Sequence, residues 1–288
     1  MLGFLQSTRY RMNDTAKNTI EDFGAQWTRY RENRDYYGSV ALLQDVLGPL
    51  LAIEAIAGCR VADIGSGSGR IVLMLIRVGA AEVTAVEPSM AIEVLRENTH
   101  EFRSRISYVQ ARGEGIPQDR NLDYVFSIGV LHHIPNPEPV VRAAFGALRP
   151  GGQMLIWLYG MEGNEAYLWW ALPLRHIVRR WPDSLVAILC HGLNLLFTPY
   201  VWLCRFVPLP MRNYMRAHFA KLSRHARFLT LFDQFNPTEA RYYREDETRN
   251  LLEKAGFRDV RLYHRHGYSW TAIGTKPIAP ASRDSPGS

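Results

Sequence analysis

The stretch Val61-Ala62-Asp63-Ile64-Gly65-Ser66-Gly67-Ser68-Gly69-Arg70 reads as a buried strand that ends in a glycine-rich turn and opens a helix. Glycines at alternate positions permit positive φ and leave bare main chain for a ligand to lie against. The amides that follow sit at a helix N-terminus, which attracts negative charge. Asp63 adds a carboxylate at the C-terminal end of the strand. A glycine-rich loop with no ligand is the competing reading, but a strand before and a helix after are the context that a ligand turn requires.

Outward from this turn, apolar strand-like runs alternate with helical patterns. Strands are predicted at 82–87, 106–110, 122–128 and 153–158, with helices at 89–105 and 137–148 between them. A later helix is predicted over 242–257, with Glu245, Asp246 and Glu247 early and Lys254 and Gly256 at its end, which matches dipole and C-cap preferences. Two last strands, 259–263 and 268–275, read as an antiparallel hairpin at the sheet edge. The pattern predicts an α/β fold: a doubly wound, mostly parallel seven-stranded sheet with an antiparallel final strand. Ligands in such sheets bind beyond the strand C-termini, where Gly65 to Gly69, Glu87 and the Ser127 to His133 segment would converge.

The chain has 288 residues, 47% of them hydrophobic, which is enough for a substantial core. Its three cysteines, Cys59, Cys190 and Cys204, are scattered and match neither a disulfide framework nor a zinc pattern, so a reducing, cytoplasmic compartment and no metal are expected. The N-terminal residues lack an apolar run of secretory length, and 277–288 read as a disordered tail. The segment 160–236 interrupts the alternation. It holds nine basic residues against four acids, most of the net charge of +6, and so points to a local anionic partner such as anionic lipid or a phosphorylated substrate. Dense apolar residues suggest several short helices broken at Pro173, Pro182, Pro199, Pro208 and Pro210. The run 185–204 approaches membrane-spanning length, but His191, Asn194 and Pro199 argue against a span. A helical lid and a peripheral membrane-docking surface are the remaining readings, and they are compatible.

The order of motifs resembles the class I S-adenosylmethionine-dependent methyltransferases, a Rossmann-like family that includes quinone-biosynthesis and small-molecule branches. The resemblance rests on Asp63 to Gly69, on Ala85-Val86-Glu87-Pro88-Ser89-Met90, on Asp123 to Ile134, on Leu148-Arg149-Pro150-Gly151-Gly152-Gln153, and on Ala255-Gly256-Phe257. It implies that S-adenosylmethionine is the cofactor and S-adenosylhomocysteine the product. Asp63, Ile64, Gly65, Ser66, Gly67 and Gly69 would then hold the methionine moiety and the adenosine edge, and Glu87, followed by Pro88, Ser89 and Met90, would take the ribose hydroxyls. A carboxylate suits that task because it accepts two hydroxyl donors at once. Ser127 and Ile128 complete the implied cofactor set. One departure stands at Arg112, where the family pattern usually carries an acid for the adenine amino group. Adenine would then be met by backbone near Arg112 and Gly113, or by Glu114. Phe23 to Tyr30 resembles a cap in which an aromatic residue covers the cofactor, a role that Trp27 fits because ring faces attract cations; an ordinary amphipathic helix would need no such role. The implied layout is an N-terminal helical cap over 1–45, a core of 46–159 and 237–276, and a lid or substrate insertion over 160–236.

Methyl transfer is an in-line displacement in which the protein aligns the partners and excludes water. A hydroxyl acceptor also needs a proton acceptor, and His133, then His132, follow the fourth strand on the substrate side. His191, His218, His264 and His266 are further candidates. The Asp/Asn-Pro-Pro-Tyr/Phe motif of amino-methylating relatives is absent, since Ser127-Ile128-Gly129-Val130 stands in its place, so nucleic acid is not the expected acceptor. O-methylation of a small-molecule, sugar or lipid-linked acceptor is the leading expectation. C-methylation of a quinone-like ring, a catalytically silent cofactor-binding adaptor and a dinucleotide-dependent oxidoreductase are the alternatives.

Overall fold

The computed structural model describes residues 17, 19–29, 31, 35–178, 181–235 and 240–278. The expected tail therefore lies, from 279 on, outside the described residues, as do residues 1–16 of the expected cap. Seven strands are present: β1 (Arg60–Ile64), β2 (Glu82–Val86), β3 (Ile106–Val109), β4 (Leu122–Ile128), β5 (Leu148–Tyr159), β6 (Arg258–Arg265) and β7 (Ser269–Thr275). The helices are α1 (19–29), α2 (Val40–Leu47), α3 (Arg70–Arg77), α4 (Ala91–Asn98), α5 (Glu138–Ala147), α6 (Glu165–Val178), α7 (Asp183–Leu203), α8 (Arg212–Ala217), α9 (Arg224–Phe235) and α10 (Glu245–Glu253).

The strand order is β3-β2-β1-β4-β5-β7-β6. Strands β1 to β5 run parallel, and β7 enters antiparallel between β5 and β6. The expected hairpin is formed, but its second strand lies inside the sheet and its first strand is the edge. Burial explains the order: β7 is buried from Ser269 to Gly274, whereas β6 alternates and carries exposed Arg258, Asp259 and Arg261. The chain order reverses at β1, whose Asp63 is level with Ala85 of β2 and Phe126 of β4. This is the crevice where ligands of doubly wound sheets bind.

One face of the sheet packs on α2, α3 and the buried sides of α7 and α9. The other packs on α5 and α10 around Ile64, Val125, Val140, Leu252 and Phe257. Helix α3 is apolar all round between Arg70 and Arg77, with Ile71 to Ile76 buried, as expected of a helix enclosed on every side.

Three boundaries differ from the sequence expectation for local reasons. The 89–105 helix splits at Thr99, whose Oγ1 bonds back to the Leu95 carbonyl (2.7 Å), and continues as a 3-10 segment from His100 to Arg105. The late helix begins at Glu245, because Arg244 is extended and Tyr243 pairs with Gly160 as a β-bridge. Pro173 and Pro199 do not break α6 and α7. A proline inside a helix removes one hydrogen bond and strains one turn, a loss that the packed face of each helix outweighs.

Candidate functional site

The glycine turn is fastened to β2. The amides of Gly65 and Ser66 both donate to the Val86 carbonyl (2.8 and 3.1 Å), and the Gly67 amide donates to Glu87 Oε2 (2.9 Å). The other oxygen of Glu87 accepts from the Ser89 amide (2.9 Å) and hydroxyl (2.5 Å). Glu87 is thus buried and fixed at the lip of the turn, and a carboxylate with about four lone-pair directions keeps capacity for further hydroxyl donors. Gly65 has φ +77°, and a Cβ there would lie 2.5 Å from Val130 Cγ2; Gly67 has φ +50°, and its Cβ would lie 3.3 Å from the Trp27 indole. Bare backbone is therefore required on both counts, conformation and contact.

A cavity of about 440 Å³ lies over the strand C-termini. At one end its wall comes from the turn (Ile64 to Ser68), from Glu87 and Pro88, and from Arg112, Gly113 and Glu114. Trp27 and Phe23 of α1 cover this end, and Ile128 and His133 follow from β4. The other end is formed by Trp157 and Tyr159 of β5 and by Tyr167, Tyr242 and Tyr268. Leu193 and Phe197 of α7, Met211 and Met215 roof it.

Other residues singled out in the sequence stand behind this wall. Asp63 is buried directly before the turn, Gly69 packs on Thr99, Ser89 backs Glu87, Ser127 is fully buried and Met90 is exposed. Asp63 Oδ2 and Ser127 Oγ have no hydrogen-bond partner among the described residues. Burial pushes the Asp63 carboxyl up to about 7, against the opposing pull of Ser66 and Arg70. An orphaned carboxyl oxygen beside a bare glycine turn, with a second carboxylate at the end of β2, is a donor set that fits a cationic adenosyl cofactor.

The 3-10 turn Leu131–His133 separates the two adjacent histidines. His133 lines the cavity with its ring 4.7 Å from Phe23, edge to face. His132 turns behind the wall and stacks on Tyr159 at 3.9 Å, with both ring nitrogens unpartnered among the described residues. Burial, then the neighbouring His133 and Arg175, hold its pKa well below the ordinary value, so it stays neutral and away from the cavity. His191 stacks on Phe228 and His264 on Trp270, neither of them on the cavity wall.

Sequence reasoning missed a polar cluster at the far end. Arg265, 1% exposed, donates from Nε to Asp45 Oδ2 (3.0 Å) and from Nη2 to the same oxygen (2.5 Å), and from Nη1 to the Tyr268 hydroxyl (2.5 Å). His266 Nε2 lies 2.7 Å from Asp45 Oδ1. Arg265, Tyr268 and His218 all reach the cavity wall. Burial pushes the Asp45 carboxyl up, but the charge and hydrogen bonds of Arg265, joined by His266, hold it below its ordinary value. His218 is driven down to about 3 by burial and by Arg265, and is neutral at any working pH. His218 and His266 were among the histidine candidates, but the centre of the cluster was signalled only by Asp45, a lone charge in the apolar helix Val40–Leu47. Its partner lies 220 residues away. Asp45→Asn is expected to cost about 2 kcal/mol in urea unfolding, less than the roughly 3–5 kcal/mol of deleting a buried partner outright, because the amide oxygen still accepts one bond. An unchanged midpoint would mean that Arg265 needs no counter-charge.

Residues 62–156 match the sequence profile of a family described as a methyltransferase domain. A tRNA U34 carboxymethyltransferase of Idiomarina loihiensis is 28% identical over 120 residues, covering 39% of this chain and 36% of that protein. A ubiquinone biosynthesis O-methyltransferase of Cupriavidus pinatubonensis is 28% identical over 139 residues, 47% of this chain and 55% of that protein. The matched stretch thus spans less than two thirds of either relative. An O-methyltransferase family protein from Burkholderia thailandensis superposes with a TM-score of 0.50 at 15% identity, over 83% of this chain and 57% of that one, a likeness of fold. Profile, strand order and glycine turn agree, and residues 62–156 form a methyltransferase domain.

Proposed function

We propose that this protein transfers the methyl group of S-adenosylmethionine to a hydroxyl of a small-molecule, sugar or lipid-linked acceptor, with His133 receiving the hydroxyl proton. One observation carries the reading: a single cavity runs from the glycine turn on β1 to the aromatic end on β5, and His133 projects into it from beyond β4, the strand between them. When bound, the cofactor supplies a methyl group already activated on a sulfonium; the acceptor oxygen bonds to that carbon as the carbon–sulfur bond breaks. The backbone of Gly65 to Gly67 and the Glu87 carboxylate hold and orient the ligand, and Asp63, buried behind the turn, adds a carboxyl group whose charge acts on the ligand through the wall. Arg112, Gly113 and Glu114 meet the adenine end. Phe23 and Trp27 exclude water from above, which favours in-line transfer over hydrolysis. The aromatic and apolar acceptor end favours a ring or an apolar chain bearing a hydroxyl. The ubiquinone relative is named for an O-methyl transfer, in keeping with this reading. The tRNA relative is matched over 39% of this chain and 36% of its own length. The free cysteines accord with a cytoplasmic setting.

The test is to incubate the purified protein with methyl-labelled cofactor and a cell extract separated into organic-soluble, water-soluble and RNA fractions. Label is expected in the organic or small-metabolite fraction. Label in RNA would overturn the acceptor class, and cofactor binding without transfer to any fraction would favour a silent adaptor.

A further inference from the structure

The outer side of α7 carries what a helix normally buries. Val186, Cys190, Asn194 and Val201 face inward, and Asn194 Nδ2 donates to the Arg224 carbonyl of α9 (2.8 Å). On the opposite side Ile188, Leu195, Leu196 and Trp202 are 67%, 75%, 66% and 56% exposed. Leu185, Ile188, Leu195 and Trp202 repeat at three- and seven-residue steps and so share one side of the helix, spaced by His191, Gly192, Thr198 and Pro199, and Phe206 follows. Helix α6 also carries exposed apolar residues, Trp169 at 84% and Ile177, and Trp181 is exposed in the connection to α7. An exposed apolar face of this extent marks an interaction surface.

Two observations select the occupant. The first is length against packing. Residues 184–203 are long and apolar enough to cross a bilayer, yet only 22% of that window is buried. The inner side of α7 nevertheless packs on α9 and lends Leu193 and Phe197 to the cavity wall, so a crossing would dismantle the site. The helix is therefore built to lie flat, apolar side outward. The second is charge. Between Asp183 and Asp233 there is no acidic residue, while Arg205, Arg212, Arg216, Lys221, Arg224 and Arg227 give six cations. A second copy docking symmetrically would bring together two segments that each carry these cations and no acid. An anionic lipid surface complements them, and tryptophans suit the headgroup boundary.

We propose that the outward faces of α6 and α7 dock on an anionic membrane surface, with α7 lying in the plane of the headgroups. Resting on the methyl-transfer reading above, the acceptor is then a membrane-dissolved amphiphile, drawn into the cavity past the helix whose other face it meets in the bilayer.

The docking is tested without reference to activity, by flotation of the full chain with phosphatidylcholine vesicles, with and without phosphatidylglycerol, at low and high salt. The protein is expected to float with the anionic vesicles at low salt, and Ile188→Glu and Leu195→Glu each to weaken binding roughly tenfold or more. Both positions are exposed and off the cavity wall, so unchanged circular dichroism and thermal midpoint identify a folded variant. Wild-type protein that stays unbound to anionic vesicles at low salt overturns the proposal. So does a wild-type dimer in sedimentation that Leu195→Glu makes monomeric, since the face would then meet a second copy. If docking holds but label enters only water-soluble metabolites, the surface stands and the amphiphile reading falls.

Discussion

Replacing His133 by alanine is expected to slow methyl transfer roughly 10²–10⁴-fold, the usual worth of a positioned general base, while cofactor affinity stays within about twofold because the loss concerns the transition state alone. His133 lies on the cavity wall, whereas its neighbour His132 is behind it, stacked on Tyr159 and kept neutral by burial. His132→Ala should therefore act through packing, lowering stability more than it lowers turnover at saturating substrate. Added imidazole separates the roles: it should restore part of the activity of His133→Ala, which a loss of packing against Phe23 would not allow. Unchanged turnover in His133→Ala would remove this residue from the mechanism and leave proton transfer to solvent.

The contrast between these two histidines shows where sequence reading ends. Both sit in the same apolar segment after β4, and only the 3-10 geometry of Leu131–His133 decides which ring meets the cavity. The β4 span was legible to the residue because a mostly apolar run, Leu122 to Ile128, lies between Asn121 and Gly129, and such a run fits a strand buried in a parallel sheet. The glycine turn was legible because its function is written in main-chain conformation, which glycine spacing reports directly. Arg265 was not legible. Nothing local distinguishes it from Arg258 or Arg261 on the same strand, and its role depends on Asp45, which only the docking of α2 brings into reach. The prolines misled for a related reason: Pro199 is a breaker by local propensity, but α7 is held along its inner side by contacts from α9 that no local window contains.

As pH rises from about 4 to about 7, ligand-free Asp63→Asn is expected to gain stability relative to wild type, because the buried Asp63 carboxyl works against the rise that the neutral, buried His132 and His218 impose on both proteins. Asp63 titrates near 7 in the folded chain because burial penalises its charge, against 3.8 for an ordinary aspartate. A folded-state pKa raised above the unfolded one means that the folded chain holds the proton more tightly. Its contribution is fully present below the unfolded value and is lost as pH climbs through the folded one. The rise from 3.8 to about 7 corresponds to about 4 kcal/mol. At pH 8 the asparagine variant should therefore be the more stable apoprotein by up to a few kcal/mol, and near pH 4 the two should be alike. Cofactor binding should respond in the opposite sense. The sulfonium and ammonium of the ligand favour the carboxylate, so wild-type affinity should increase between pH 6 and pH 8 as Asp63 ionises, with a proton released on binding below pH 7. Asp63→Asn should bind more weakly at pH 8 and lose that pH dependence. Urea midpoints across this range, with calorimetry in buffers of different ionisation enthalpy, read both effects. A variant that is less stable than wild type at pH 8 would show that the buried carboxyl is stabilising as it stands. A variant that binds cofactor as well as wild type would show that the turn and Glu87 hold the ligand without it. The opposed signs are the diagnostic: a residue kept only for packing would not trade stability of the empty protein for affinity toward a cation.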